Sequence, residues 1–145
     1  MQWDATPGAG FTSGRPWLRL APDAATRNVA LELRDPDSVL AAYRRLLDFR
    51  RTSRALRTGS MRRLEAGTPD VLVWTRTAPG EMLLALVNFV GQERTVRLPE
   101  AERDGVPLTQ WEPVVGSHRM LGNGGAPSEE LALRPDEAVI LAGRI

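Results

Sequence analysis

The stretch Val71-Leu72-Val73-Trp74-Thr75-Arg76-Thr77-Ala78-Pro79-Gly80-Glu81-Met82-Leu83-Leu84-Ala85-Leu86-Val87-Asn88-Phe89-Val90 contains two apolar runs and a turn between them. Val71 to Trp74 is apolar on both faces, as a buried strand is, and Met82 to Val90 is a longer run of the same kind. Ala78-Pro79-Gly80 joins them as a turn. Downstream, Gly91-Gln92 makes the next turn and Thr95-Val96-Arg97-Leu98 alternates in and out. Leu108 to Val115, Leu131 to Arg134 and Ala138 to Ala142 are further strand candidates. Short strands at this spacing predict a small antiparallel β-sandwich from about Gly59 to Ile145, so the chain is expected to be mainly β. Gly122-Asn123-Gly124-Gly125 reads as a turn, because it lacks the Lys and the following helix of a phosphate-binding loop.

Before the β region the period changes. Asp35 can cap a helix, Pro36 suits the first helical position, and Asp37 places negative charge at the positive end of the helix dipole. Val39, Leu40, Tyr43, Leu46 and Leu47 then share one face at helical spacing, while Arg44, Arg45, Asp48 and Arg51 cover the other side. That predicts one amphipathic helix. Its apolar face needs a partner, since burying a Leu or Val side chain is worth about 1.5–3 kcal/mol. Either the sandwich or a barrel outside this chain would serve. Met1 to Leu33 has no sustained period and reads as loop, with turns at Pro7-Gly8-Ala9-Gly10 and Ser13-Gly14-Arg15-Pro16. A loop of that length in a compact domain is often functional or part of something larger.

The chain has 145 residues, 42% hydrophobic and 26% charged, the proportions of one ordinary soluble globular domain. All 19 basic side chains are Arg, and 18 acidic ones nearly cancel them. No strong positive excess points to a nucleic-acid partner. Cysteine is absent, which excludes a disulfide framework or a thiolate nucleophile. His118 is the only histidine, so neither a multi-histidine metal site nor a histidine triad is expected, and a loop role suits it. No metal or cofactor is expected. No run approaches the ~20 apolar residues of a membrane span, and Met1-Gln2-Trp3-Asp4 lacks the features of a signal peptide. The expected location is the cytoplasm, without a membrane partner, unless Met1 is an internal residue of a longer protein.

Several segments, in order, resemble the α-glucosidase and oligo-1,6-glucosidase branch of glycoside hydrolase family 13, the α-amylase superfamily. Met1-Gln2-Trp3-Asp4, Gly10-Phe11-Thr12 and Arg15-Pro16-Trp17-Leu18 are similar to the loop after the last barrel strand. Asp35-Pro36-Asp37-Ser38-Val39-Leu40 with Tyr43-Arg44-Arg45-Leu46 resembles the start of the eighth barrel helix. Arg50-Arg51, Ala55-Leu56 and Gly59 resemble the exit into the C-terminal sandwich; Leu86-Val87-Asn88-Phe89 and Pro135-Asp136-Glu137-Ala138-Val139 resemble two of its strands. Trehalose synthases share a similar Met-Gln-Trp loop, but Arg15-Pro16-Trp17 suits α-glucosidases better.

The resemblance implies two parts, residues 1–56 as the end of a catalytic barrel and residues 57–145 as the C-terminal β-sandwich domain. It implies an α-glucoside substrate for the parent enzyme, with Gln2 and Trp3 near the mouth of its active site. The Asp nucleophile, the Glu acid/base and the helping Asp of that family belong to motifs preceding the Met-Gln-Trp loop, so no catalytic residue is expected in this chain. The expected function is that of a C-terminal fragment of a retaining α-glucosidase, inactive alone.

Three alternatives remain open on the residues. Asp4, Asp23, Asp35 and Asp37 could form a small carboxylate site of their own, although turns and a helix start account for most of them. The chain could be a freestanding carbohydrate-binding or interaction module using Trp74 or Trp111, of which Trp111, between Gln110 and Glu112, is expected to be the more exposed. Or it could be a subunit docking onto a separately made barrel through the Val39 to Leu47 face. Asn88 is expected to be a structural hydrogen-bonding residue.

Overall fold

The computed structural model describes residues 1–98, 111–117 and 130–143. His118, the Gly122 to Gly125 loop and the Leu108 to Gln110 start of one expected strand lie outside the described residues. The chain divides into two compact units, Met1–Arg44 and Arg45–Ile145.

The second unit is mainly β. Five strands, β1 (Ser60–Leu64), β2 (Val71–Ala78), β3 (Glu81–Asn88), β5 (Trp111–Gly116) and β7 (Ala138–Gly143), form one sheet in the order β1-β2-β3-β7-β5. β4 (Arg94–Arg97) and β6 (Glu130–Leu133) form a separate two-stranded sheet. Every described pairing is antiparallel. The β2–β3 hairpin closes with Ala78 opposite Glu81, leaving Pro79 and Gly80 as its two-residue turn. Gly80 has φ +75°, a conformation glycine adopts without a Cβ penalty.

Strand alternation produces the core. Val73 of β2, Leu84 and Leu86 of β3 and Leu141 of β7 gather with Val96 of β4, with Leu98 just after it and with Leu133 of β6 in one buried cluster. The two sheets therefore share apolar contents. Asn88 links their turns. Its side-chain amide donates to the carbonyls of Gln92 and Arg134, both at 2.8 Å, and its Oδ1 accepts the Val90 N–H. The structural role expected of Asn88 is what the geometry contains. Arg94 reaches back to Asp70, with Nη2 at 2.7 Å and Nε at 2.8 Å from one carboxylate oxygen.

On the opposite face of the five-stranded sheet, Ala55, Ala78 and Leu83 form a second buried cluster with Phe49 and Leu56 against it. Ala55 belongs to a short helix, α3 (Arg54–Thr58), capped by Ser53 and by Glu81, whose carboxylate accepts the Ala55 N–H at 2.7 Å. Arg76 donates to the carbonyls of Ala55 and Leu56 from the strand beneath. Gly59 leaves α3 where a Cβ would lie 2.6 Å from the Ala55 carbonyl oxygen and 2.7 Å from that of Thr77. Close backbone approach, and not a special φ, fixes glycine there.

The expected single helix is present as α2 (Val39–Thr52), but two short helices accompany it: α3, and α1 (Val29–Glu32) inside the stretch expected to be loop. The cap also differs from expectation. Asp35 and Pro36 precede α2, and Asp35 Oδ1 accepts the Asp37 N–H to form a turn. Ser38 is the capping residue, its hydroxyl accepting the Ala41 N–H at 3.1 Å, while the Glu32 carboxylate accepts that of Leu40. A short side chain directly preceding the first helical residue reaches that donor; Asp35 is three residues too early. The apolar stripe of α2 is not covered: Tyr43 is 64% exposed, and Val39, Leu46 and Leu47 are exposed too.

The Trp expectation is corrected as well. Trp111 is 3% exposed, inside the main core, where its ring lies against the Cα side of Gly143, its cross-strand partner. Glu112, next to it in β5, points out while Trp111 points in, as adjacent residues of a strand do. Trp74 is half-buried on the outer face of β2.

Candidate loop site

Gln2 and Trp3, expected from the resemblance to bind substrate near the mouth of the active site, lie at the start of the first unit, and the backbone fixes both. The carbonyls of Gln2 and Trp3 accept the N–H groups of Val29 and Ala30 at 3.1 and 2.9 Å. These are the first two donors of α1, which have no partner within a helix. The third, from Leu31, goes to the side chain of buried Asn28, whose amide donates in turn to the Ala24 carbonyl. So a four-residue helix, too short to signal itself by periodicity, serves to pin the Gln2–Trp3 backbone.

The loop from Trp3 to Gly10 closes on itself. Trp3 N–H donates to the Ala9 carbonyl at 2.8 Å. Asp4 Oδ1 accepts both the backbone N–H and the hydroxyl of Thr6, and the Thr6 hydroxyl oxygen accepts the Gly10 N–H at 2.9 Å. Those bonds, the Thr6 hydroxyl first and its N–H second, hold the Asp4 carboxyl below its ordinary value. Ala9 and Gly10 are both left-handed, at φ 51° and 65°. Around the turn, an open depression of about 570 Å³ is lined by Thr6, Pro7, Gly8 and Gly10 to Gly14.

Three aromatic side chains of the segment before α1 are presented outward. Trp17 is 88% exposed, Trp3 47%, and Phe11 is exposed with them. Gln2 is half-buried. An indole with one face free is a surface for the C–H groups of a sugar, and a primary amide can both donate to and accept from hydroxyls. Of the four Asp residues weighed as a separate site, three carboxylates are engaged locally, and Asp37 donates its backbone N–H to Asp35. Asp4 binds Thr6, Asp23 pairs with Arg27 at 3.6 Å, and Asp35 caps the Asp37 turn. Among the described residues no three potential metal ligands cluster. Sequence reasoning missed Thr6, Ala9 and Asn28. The Asp-x-Thr spacing of Asp4 and Thr6 was the available sign, as this pair readily makes a side-chain turn.

Residues 1–59 match the family model for the α-amylase catalytic domain. Over nearly the whole chain, the sequence is 31% identical to an oligo-1,6-glucosidase of Bacillus cereus (97% of this chain, 24% of that protein). It is 33% identical to one of Halalkalibacterium halodurans (99% and 25%). A trehalose-6-phosphate hydrolase of Bacillus subtilis is 30% identical (97% and 24%). Among solved structures, the trehalulose synthase of Pseudomonas mesoacidophila superposes with a TM-score of 0.83 at 35% identity, covering 97% of this chain and 24% of that one. That synthase has also been solved, as a variant, with its substrate sucrose. The chain thus spans about a quarter of the length of the relatives it matches.

Proposed function

The chain belongs to the α-amylase superfamily, glycoside hydrolase family 13, and is α-glucosidase-like; from that premise we propose that it is the C-terminal part of a retaining α-glucosidase acting on α-linked gluco-oligosaccharides. Residues 1–56 are the last loop and eighth helix of the catalytic barrel, and residues 57–145 form the C-terminal β-sandwich that caps it. Gln2 and Trp3 face the sugar at the mouth of the active site. The chain brings scaffold and one binding loop, while the nucleophile and the acid/base come from barrel strands that it does not include.

The observation that carries this reading is the match along 97–99% of the chain to enzymes of which it spans only about a quarter. The state of α2 supports it. Four large side chains on one stripe, Val39, Tyr43, Leu46 and Leu47, lie exposed, and burying apolar surface of this kind is worth about 25 cal/mol per Å². A barrel wall is a cover of the right kind. Double displacement at the anomeric carbon needs two carboxyl groups about 5–5.5 Å apart, and the carboxylates of Asp4, Asp23 and Asp35 are occupied in turns or an ion pair. The freestanding-module reading loses its better platform, since Trp111 is core.

Co-expression with the barrel portion of a family member tests the proposal. Restored hydrolysis of an aryl α-glucoside, in a complex that co-purifies, is the expected result. A chain that never associates with any such barrel, and whose upstream coding region encodes no barrel strands, would overturn it.

A further inference from the structure

We propose that Asp4 is a positioning residue which, acting through Thr6, sets the direction in which Trp3 presents its ring. The inference rests on the reading of Trp3 as a sugar-facing residue only for the purpose of that direction; the geometry stands apart from it. The Thr6 hydroxyl donates its hydrogen bond to the Asp4 carboxylate, which leaves the hydroxyl oxygen free to accept from Gly10 at 2.9 Å. Gly10 N–H is thereby oriented, and the residue before it, Ala9, returns its carbonyl to the Trp3 N–H at 2.8 Å. The circuit starts one residue after Trp3 and ends on Trp3.

The circuit is also closed sterically. A Cβ at Gly10 would lie 2.6 Å from Asp4 Oδ2 and 2.9 Å from the Trp3 Cβ, and Gly10 sits at φ +65°. Ala9, 1% exposed, accepts a left-handed backbone that disfavours any residue with a Cβ. A loop that carries that strain beside an exposed aromatic is over-determined in its shape. Yet the side-chain bonds that set it are exposed ones, which add little to stability because water competes for the same donors. Such a circuit controls orientation much more than folding, which is the mark of a positioning group. Asp4 touches no reacting atom in this account.

The test uses the full chain labelled with fluorotryptophan and followed by fluorine NMR, with the Trp3 line identified by its loss in Trp3→Phe. Asp4→Ala and Thr6→Val are expected to move or broaden the Trp3 line by more than its own width. Trp74 and Trp111 lines and the thermal midpoint should stay where they are, and Thr6→Ser, which keeps the hydroxyl, should restore the Trp3 line. An unmoved Trp3 line in both variants overturns the proposal. So does a fall in midpoint with all four lines shifting together, which would make Asp4 a general structural residue. The readout contains no sugar, so either negative result removes the circuit and leaves the glucosidase reading standing.

Discussion

Replacing Asn88 tests how the two sheets are joined. Its side chain is 2% exposed and makes three hydrogen bonds, two donated at 2.8 Å to the Gln92 and Arg134 carbonyls and one accepted from Val90 N–H at 3.2 Å. A net contribution of about 1 kcal/mol per bond gives a loss of about 3 kcal/mol for Asn88→Ala. In a domain of about 100 residues each kcal/mol moves the midpoint by about 4–8 °C, so the shift is about 12–24 °C. Asn88→Asp should be worse at neutral pH, because a carboxylate oxygen would then face two carbonyl oxygens. Burial, with two carbonyl oxygens facing it and the Val90 N–H as its one described donor, raises the pKa of such a group. Its penalty is therefore present above that raised value and eases as pH falls through it, when the protonated carboxyl can donate to one carbonyl. The assay is thermal unfolding of wild type and both variants by circular dichroism across the acid range. A loss below about 1 kcal/mol for Asn88→Ala, or no recovery of Asn88→Asp in acid, would refute the assignment.

The remaining expectations are these. Gly59→Ala should destabilise by about 1–3 kcal/mol in urea unfolding, since its Cβ would meet two backbone carbonyl oxygens at 2.6 and 2.7 Å; a neutral result would mean that α3 is not held as described. Tyr43→Ser and Leu47→Ser should each change the stability of the isolated chain by no more than about 0.5 kcal/mol, because both side chains are exposed, and should weaken association with a co-expressed barrel. Leu84→Ala, in the centre of the core, should cost about 2–5 kcal/mol in the same unfolding assay. The Asp4 carboxyl titrates below its ordinary value because Thr6 donates to it. Its hold on the loop is complete above the usual carboxylate range and is lost as pH falls through the lowered value, so Trp3 fluorescence should change only in strong acid, and not at all in Asp4→Asn.

The strands that sequence made legible are those with apolar runs and a turn of unmistakable chemistry. β2, Pro79-Gly80 and β3 are the best case, since both strands are central and buried. β1 gave no sign. It is an edge strand whose first four residues, Ser60 to Arg63, are exposed, and an edge can be charged without penalty. Trp111 misled because its neighbours in sequence are polar, although a polar residue such as Glu112 next to a buried one is what a strand with one face inward contains. The helix was read from the spacing of its apolar face, but the cap was assigned to the more acidic Asp35 when position favoured Ser38. In the loop, Gln2 and Trp3 stood out only through family resemblance. Thr6, Ala9 and Asn28 act through backbone geometry, which no periodicity encodes.

The central claim is that residues 1–145 carry a sugar-facing loop without a nucleophile. The most direct measurement is intact mass spectrometry of the purified chain after prolonged incubation with a fluorinated glucosyl fluoride, which traps retaining glycosidases on their nucleophilic carboxylate. The unmodified mass is expected at every time point, with adduct forming on the barrel partner when the two are co-expressed. A stoichiometric glucosyl adduct mapped to one of this chain's own Asp or Glu residues would contradict it.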